Sequence, residues 1–99
     1  MSQEANTVMK KFLTQIAKKT ISKRKFKMID DVEIFFVFGS KVKTAMCDWV
    51  YGIKVYSNSS LTSQDMIVRD LLSEIKIKCT NLFEQTVCCT DVVIEKKSL

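Results

Sequence analysis

Residues 31–38 read DVEIFFVF, the most apolar stretch of a chain of 99 residues, and the pattern predicts a β-strand. Successive side chains of a strand point to opposite faces of the sheet. One face of this strand is wholly apolar, and its members are Val32, Ile34, Phe36 and Phe38. The other face carries Glu33, Phe35 and Val37 and is largely apolar. Such a strand is typical of the centre of a sheet, or of a sheet edge that a partner chain completes.

A helix is predicted before this strand, from about Ser2 or Asn6 to about Thr20. Its apolar residues recur at spacings of three and four, which is the period of a helix with one buried face. They are Met9, Phe12, Leu13, Ile16 and Thr20. The residues after Thr20 weaken this pattern, and the helix is expected to fray there.

The segment between the first strand and residue 56 leaves two interpretations open. Gly39 and the serine after it suit a tight hairpin. The apolar side chains then change parity near Asp48. One long strand with a bulge near Asp48 fits this change, and so does a loop over 39–48 followed by a strand over 49–56. The bulged hairpin is favoured, because no Pro, Asn or second Gly marks a loop there.

A second helix is predicted to begin at Thr62 and to end near residues 83–84. Thr62 and Asp65 match the capping pattern in which an acid follows Ser or Thr after three residues. Leu61 and Met66 occupy the two positions of a hydrophobic staple around this cap. The apolar stripe beyond it consists of Val68, Leu71, Leu72, Ile75, Cys79, Leu82 and Phe83.

On the outer face of the second helix, Glu74 and Lys78 have the four-residue spacing of an ion pair.

A third strand is predicted from Thr86 to Glu95, where β-branched residues are frequent. The order of elements is α-β-β-α-β. We expect one α+β domain over residues 1–99, with two helices packed on one face of a small, mostly antiparallel sheet.

The residue types argue against catalysis. Histidine, the commonest general base and metal ligand, is absent from the chain. Two glycines cannot build either common phosphate-binding loop. The carboxylates of Asp30, Asp31 and Glu33 are typical of a polar turn before a buried strand. We therefore expect a non-catalytic domain with no cofactor, no metal and no small-molecule substrate.

The four cysteines are Cys47, Cys79, Cys88 and Cys89. The first residues lack the pattern of a secretory signal, so we expect an intracellular protein of the cytoplasm or nucleus in which all four are thiols. Cys79 lies on the apolar stripe of the second helix and is expected in the core. Cys88 and Cys89 point to opposite faces of a strand, which does not suit a shared zinc ion.

Basic residues are concentrated in the first third of the chain. Residues 1–29 hold eight basic residues and one acid, whereas residues 30–99 hold eight basic and ten acidic residues. The densest cluster is Lys18, Lys19, Lys23, Arg24, Lys25 and Lys27, of which the last four belong to residues 22–27, the basic junction. Clustered cations bind the phosphate backbone of RNA or DNA by releasing counterions, without reading bases. We predict that these six residues bind nucleic acid.

Two other interpretations of the basic residues stay open. Lysines on the outer face of a helix, followed by a charged turn, are also typical of a surface that meets only water. A helix lying on a membrane has an apolar stripe and lysines as well, but the first helix lacks the flanking Trp of such helices. Packing against the core explains its stripe equally well, so no membrane partner is expected.

The segment YGIKVY, residues 51–56, resembles the aromatic and glycine submotif on a central strand of the RNA-recognition-motif family. The resemblance implies that exposed aromatic residues of the sheet stack on bases. It covers six residues, the basic residue and first glycine of the motif are missing, and the chain begins with a helix where the family begins with a strand. The alternative is that Trp49, Tyr51 and Ile53 face the core while Lys54 and Tyr56 face water.

Apolar strand faces also suggest assembly. Two wide apolar helices and strands that are apolar on both faces are more than a monomer of this size buries easily. The predicted interface residues are Phe35, Val37, Cys89 and Val93. The alternative function is therefore a protein–protein adaptor or a self-assembling subunit, either a homodimer or a small subunit of a larger complex, with no nucleic-acid contact.

Overall fold

The computed structural model describes residues 2–36 and 47–96. Its elements in chain order are α1 (Ser2–Ile21), a short 3₁₀ turn (Arg24–Phe26), β1 (Asp31–Phe35), β2 (Trp49–Tyr56), α2 (Met66–Phe83) and β3 (Val87–Glu95). The predicted order of two helices and three strands is confirmed, and the 3₁₀ turn is an addition to it.

The three strands form one mixed sheet in the order β1-β2-β3. β1 and β2 are antiparallel, whereas β2 and β3 are parallel, so the prediction of a mostly antiparallel sheet is only partly true. The 18 residues of α2 span roughly 27 Å, which is close to the roughly 26 Å of an eight-residue strand such as β2. The helix therefore returns the chain to the end of the sheet at which β2 began, and β3 must run parallel to β2.

The core lies between the sheet and the two helices. On the inner face of the sheet, Val32 pairs with Val55 and Ile34 pairs with Ile53, and all four side chains are buried. α1 packs on β1, α2 packs on β3, and the two helices pack on each other. Fully buried residues of the helices cover this face: Leu13, Ala17, Leu71 and Ile75. Burial of each large apolar side chain contributes roughly 1.5–3 kcal/mol to stability.

β1 is an edge strand in the part of the chain that the structure describes, because it pairs there with β2 alone. Its predicted alternation is confirmed, since Val32 and Ile34 are buried and Glu33 is exposed. The strand ends at Phe35, and Phe36 follows it outside the regular pairing. The hairpin or loop predicted after it lies mainly in residues 37–46, outside the described residues.

β2 begins at Trp49, as in the interpretation that places a loop over 39–48 and a strand over 49–56. The irregularity in its pairing lies against β3, between Tyr51 and Gly52. It is therefore three residues beyond the bulge predicted near Asp48. The cause is an extra residue in β3, where Thr90 has no partner in the register.

α2 begins at Met66, four residues after the predicted start at Thr62. Its N-cap is Asp65, whose side-chain Oδ2 accepts a hydrogen bond from the backbone N–H of Thr62 at 2.7 Å. Thr62 and Asp65 thus close a turn before the helix. Met66 is 72% exposed, so the predicted staple with Leu61 is wrong. The predicted end is confirmed, because Glu84 adopts a left-handed conformation with φ 55 that closes the helix.

Cys47 and Cys88 form a disulfide, so the prediction of four thiols is wrong for this pair. The parallel pairing of β2 and β3 brings the two cysteines together. Cys88 lies opposite Val50, and Val50 follows Cys47 by only three residues. Their Cα atoms are 5.9 Å apart, within the usual range for disulfides. Cys79 is a buried thiol, as predicted, and Cys89 is a partly buried one.

Phe35 and Gly52 lie opposite each other on the outer face of the sheet, the face away from the helices. The ring of Phe35 lies against Gly52. A Cβ atom at position 52 would collide with two carbon atoms of this ring. The glycine is therefore required by the closeness of the ring.

Gly52→Ala is expected to lower the free energy of unfolding by about 1–3 kcal/mol, because the added methyl group displaces the ring of Phe35. Urea denaturation followed by circular dichroism measures this loss. In Gly52→Ala/Phe35→Leu the smaller side chain can move aside, so the double variant should lose less stability than the two single variants together. Strictly additive losses would show that the collision is not the cause.

Candidate nucleic-acid interface

The basic junction is anchored by one aromatic side chain. Phe26 is fully buried in the core, although Arg24 and Lys27 on either side of it are exposed. The backbone N–H of Phe26 donates to the carbonyl of Lys23 at 3.0 Å, and that of Ile29 donates to the carbonyl of Phe26 at 2.9 Å. The cations of the junction therefore project from a closed turn with a buried anchor.

Lys18 and Lys19 occupy the last turn of α1. Positive charge at this position complements the partial negative charge of a helix C-terminus. The amino group of Lys18 also lies 3.4 Å from the Oδ1 atom of Asp31 at the start of β1. These two of the six predicted residues thus have a structural role that needs no ligand.

Lys23 and Lys25 both bind one carboxylate on α2. The Nζ atom of Lys23 lies 2.7 Å from Oε1 of Glu74, and the Nζ atom of Lys25 lies 2.6 Å from Oε2. The hydrogen bonds from Lys23 and Lys25 lower the pKa of Glu74 to about 2. The junction is therefore held to α2 by two ion pairs that meet on a single acid.

Lys78 belongs to the same cluster, which sequence reasoning missed. Its amino group donates to Thr20 Oγ1 at 3.2 Å and so links α2 to the end of α1. Burial lowers the pKa of Lys78, and the nearby positive charge of Lys23 lowers it further. The predicted pairing of Glu74 with Lys78 is replaced by the pairing of Glu74 with the junction. We call Glu74, Lys23, Lys25 and Lys78 the Glu74 cluster.

Three of the six predicted residues have no ion pair in the described part of the chain: Lys19, Arg24 and Lys27. All three are exposed. The structure therefore divides the predicted site. Lys23 and Lys25 are paired to Glu74, Lys18 is paired to Asp31, and the remaining three are available to a ligand without breaking an ion pair.

The aromatic residues of β2 do not form a base-stacking surface. Tyr51 is buried, and burial raises the pKa of its hydroxyl. Ile53 is also buried, and Trp49 packs partly against the core, as the alternative to the RNA-recognition-motif resemblance predicts. Tyr56 lies on the outer face, where its hydroxyl donates to Glu33 Oε1 at 3.1 Å.

The four residues predicted to meet a partner chain lie in different surroundings. Val93 is exposed, Phe35 is half-buried over Gly52, and Cys89 packs partly against the core. Val37 lies outside the described residues. A protein interface at these positions stays a prediction.

An open groove of about 480 Å³ lies at the end of the sheet where β1 begins and β3 ends. Its charged residues are Lys18, Lys96, Asp31, Glu33 and Glu95. The two signs of charge are mixed, which does not suit a polyanion. Residues 2–36 and 47–96 contain no group of three or more acidic or cysteine side chains placed to hold a metal ion.

The chain matches no protein-family model, no curated protein and no solved structure in the comparisons made with it. Neither helix of the described part of the chain is long and apolar enough to cross a membrane.

The low pKa of Glu74 predicts a specific dependence of stability on pH. A carboxyl whose pKa is lowered on folding stabilises the protein above its unfolded value, here 4.5, and this contribution is lost as the pH falls toward about 2. Stability should therefore fall over this range, and Glu74→Gln should show a fall smaller by about 1 kcal/mol. Urea denaturation at a series of pH values measures both curves.

Glu84→Gln is the matched control for this measurement. It removes the exposed carboxylate of the residue that caps the C-terminus of α2, which forms no ion pair with the described residues. Its acid dependence should follow that of the wild type. Equal curves for Glu74→Gln and the wild type would show that the ion pairs with the junction do not stabilise the fold.

Proposed function

We propose that this chain is a small non-catalytic domain that binds nucleic acid through a surface built from α1, the basic junction and α2. The observation that carries the proposal is that two contacts bring these three segments together. Lys23 joins the junction to Glu74 on α2, and Lys78 joins α2 to Thr20 on α1. Cations that are distant in sequence therefore lie on one surface.

Positive charge exceeds negative charge on this surface. The six predicted cations and Lys78 share it with three carboxylates: those of Asp31 and Glu74, which are paired, and that of Asp70, whose charge acts on Lys25. A nucleic-acid backbone favours such a surface, because each phosphate that a cation neutralises releases condensed counterions. Because the aromatic residues of β2 form no stacking surface, the proposed contacts are to phosphates, and RNA and DNA are both suitable partners.

The described cysteines support the absence of covalent catalysis. Burial raises the pKa of Cys79 to about 11 and that of Cys89 to about 11. A thiol with such a pKa is protonated at neutral pH and is a weak nucleophile. Cys47 and Cys88 are bonded to each other. A binding role is therefore the proposal, and an enzymatic one is not.

The cellular location is part of the proposal. A nucleic-acid partner is consistent with a location in the cytoplasm or nucleus, which is the location that the sequence predicts. The Cys47–Cys88 disulfide favours an oxidising environment instead, because cytosolic thiols are kept reduced. The proposal therefore requires that the two cysteines are reduced in the cell, or that the domain meets nucleic acid under oxidising conditions.

Replacing the unpaired cations of the junction should weaken binding without unfolding the protein. Arg24→Gln/Lys27→Gln removes two exposed charges that form no ion pair with the described residues. Fluorescence anisotropy with a short random-sequence DNA duplex should show affinity reduced about tenfold and a salt dependence whose slope is smaller by about two. Charge reversal at Lys23 and Lys25 is a poorer test, since it would place new acids beside Glu74.

Lys10→Gln/Lys11→Gln is the matched control, because it removes two exposed charges from the middle of α1. Its affinity should fall less than that of Arg24→Gln/Lys27→Gln, while both variants keep the thermal stability of the wild type. Equal losses in the two variants would mean that net charge, rather than this surface, determines binding.

Self-assembly is the second candidate, favoured by an exposed apolar patch where the first half of α1 meets the last turn of α2. Val8, Phe12 and Leu82 are exposed large apolar residues. The ring of Phe12 lies 4.9 Å from that of Phe83, which joins the parts contributed by α1 and α2. We propose that, if the domain forms a homodimer, this patch is its centre.

Under this second proposal Leu82→Asn should convert a dimer to a monomer, because it places an amide in the apolar interface. Ile77→Asn is the control, since Ile77 is 56% exposed, comparable to 65% for Leu82, but lies on a different side of α2. Sedimentation equilibrium measures the mass of each. A wild-type monomer at high concentration would contradict the dimer.

A further inference from the structure

We propose that Glu74 occupies the place of a phosphate group, so that the lysines around it form a binding site for one phosphate of a nucleic acid. Glu74 is then an internal competitor that lowers the affinity of the wild-type protein. This inference rests on the proposed function and names Glu74 as the residue that regulates nucleic-acid binding.

The geometry of the Glu74 cluster is that of an anion site. Lys23 and Lys25 approach different oxygens of the Glu74 carboxylate, at 2.7 and 2.6 Å, as two cations approach two oxygens of a phosphate. The lysine side chains are 48% and 55% exposed, whereas that of Glu74 is 19% exposed. A ligand from solvent therefore reaches the two amino groups without passing the carboxylate.

The cluster holds more positive charge than Glu74 neutralises. Lys78 is a third cation in it, and its amino group donates to the hydroxyl of Thr20 rather than to a carboxylate. The positive charges of Lys23 and Lys19 both oppose protonation of Lys78. Asp70 is the other acid near the cluster, and its negative charge favours the protonated form of Lys25. An additional anion at this place relieves repulsion among the lysines.

The neighbouring cations extend the site along a chain of phosphates. Arg24 and Lys27 belong to the same turn as Lys23 and Lys25, which Phe26 anchors in the core. A backbone that places one phosphate at the lysines of the cluster presents the next ones to these residues. This distinguishes a polyanion from a single phosphate ion, which would meet the cluster alone.

Binding by the wild type has a cost that arises from Glu74. Lys23 and Lys25 must exchange the carboxylate for a phosphate, so they release fewer counterions than free lysines do. Removing the negative charge of Glu74 leaves both amino groups to the ligand. The affinity should then rise, and binding should depend more steeply on salt.

Glu74→Gln tests this inference, because glutamine keeps the size of the side chain and loses the charge. Against a short DNA duplex it should bind about threefold to tenfold more tightly than the wild type, with a salt slope steeper by up to about two. Glu84→Gln is the control for the change in net charge and should bind nearly as the wild type does. Equal affinities of Glu74→Gln and Glu84→Gln overturn the inference and leave the proposed function standing.

Nuclear magnetic resonance of the wild type gives a second test that needs no variant. The side-chain carboxyl carbon of Glu74 should shift when the duplex is added, because its two ion pairs are broken. The carboxyl carbon of Glu84 should not shift. If the duplex binds and the Glu74 signal stays unchanged, the phosphate site lies elsewhere. If neither the wild type nor Glu74→Gln binds the duplex or a short single-stranded RNA, the proposed function itself is overturned.

Discussion

The burial of β2 constrains the rest of the described structure. Its inner face, formed by Tyr51, Ile53 and Val55, is almost completely inaccessible to water, and its two edges pair with β1 and β3. Parallel pairing with β3 requires a crossover, so α2 lies over the sheet beside α1. The junction between α1 and β1 then lies next to the middle of α2. The contact of Lys23 and Lys25 with Glu74 is therefore a consequence of how the central strand is covered.

Local pattern was enough to predict most elements, because periodicity depends on neighbouring residues. Val32 and Ile34 alternate with exposed Glu33, and both helices bury most of their predicted apolar stripes. Phe12 and Leu82 were predicted as members of these stripes but are exposed. The parallel pairing and the Cys47–Cys88 contact could not be read in this way, since each joins residues far apart in sequence.

The candidate site shows the same limit. All six cations were visible in the sequence, but their partners were not. A four-residue spacing indicated that Glu74 pairs with Lys78, yet the folded chain offers Glu74 two closer lysines from the junction. Phe26 is a local signal inside the basic run, because a large aromatic side chain favours burial and so anchors the turn. The same lysines thus stabilise the fold and are proposed to meet a ligand, and no lysine can do both at once.

The Cys47–Cys88 disulfide closes a covalent loop that contains the whole of β2 and α2. α1 and β1 precede this loop on the chain, and most of β3 follows it. A protease that cuts the exposed residues 62–64 between β2 and α2 therefore leaves two fragments that remain linked. The oxidised protein tolerates such a nick with all its segments still on one molecule, whereas the reduced protein separates into two peptides as soon as the fold opens.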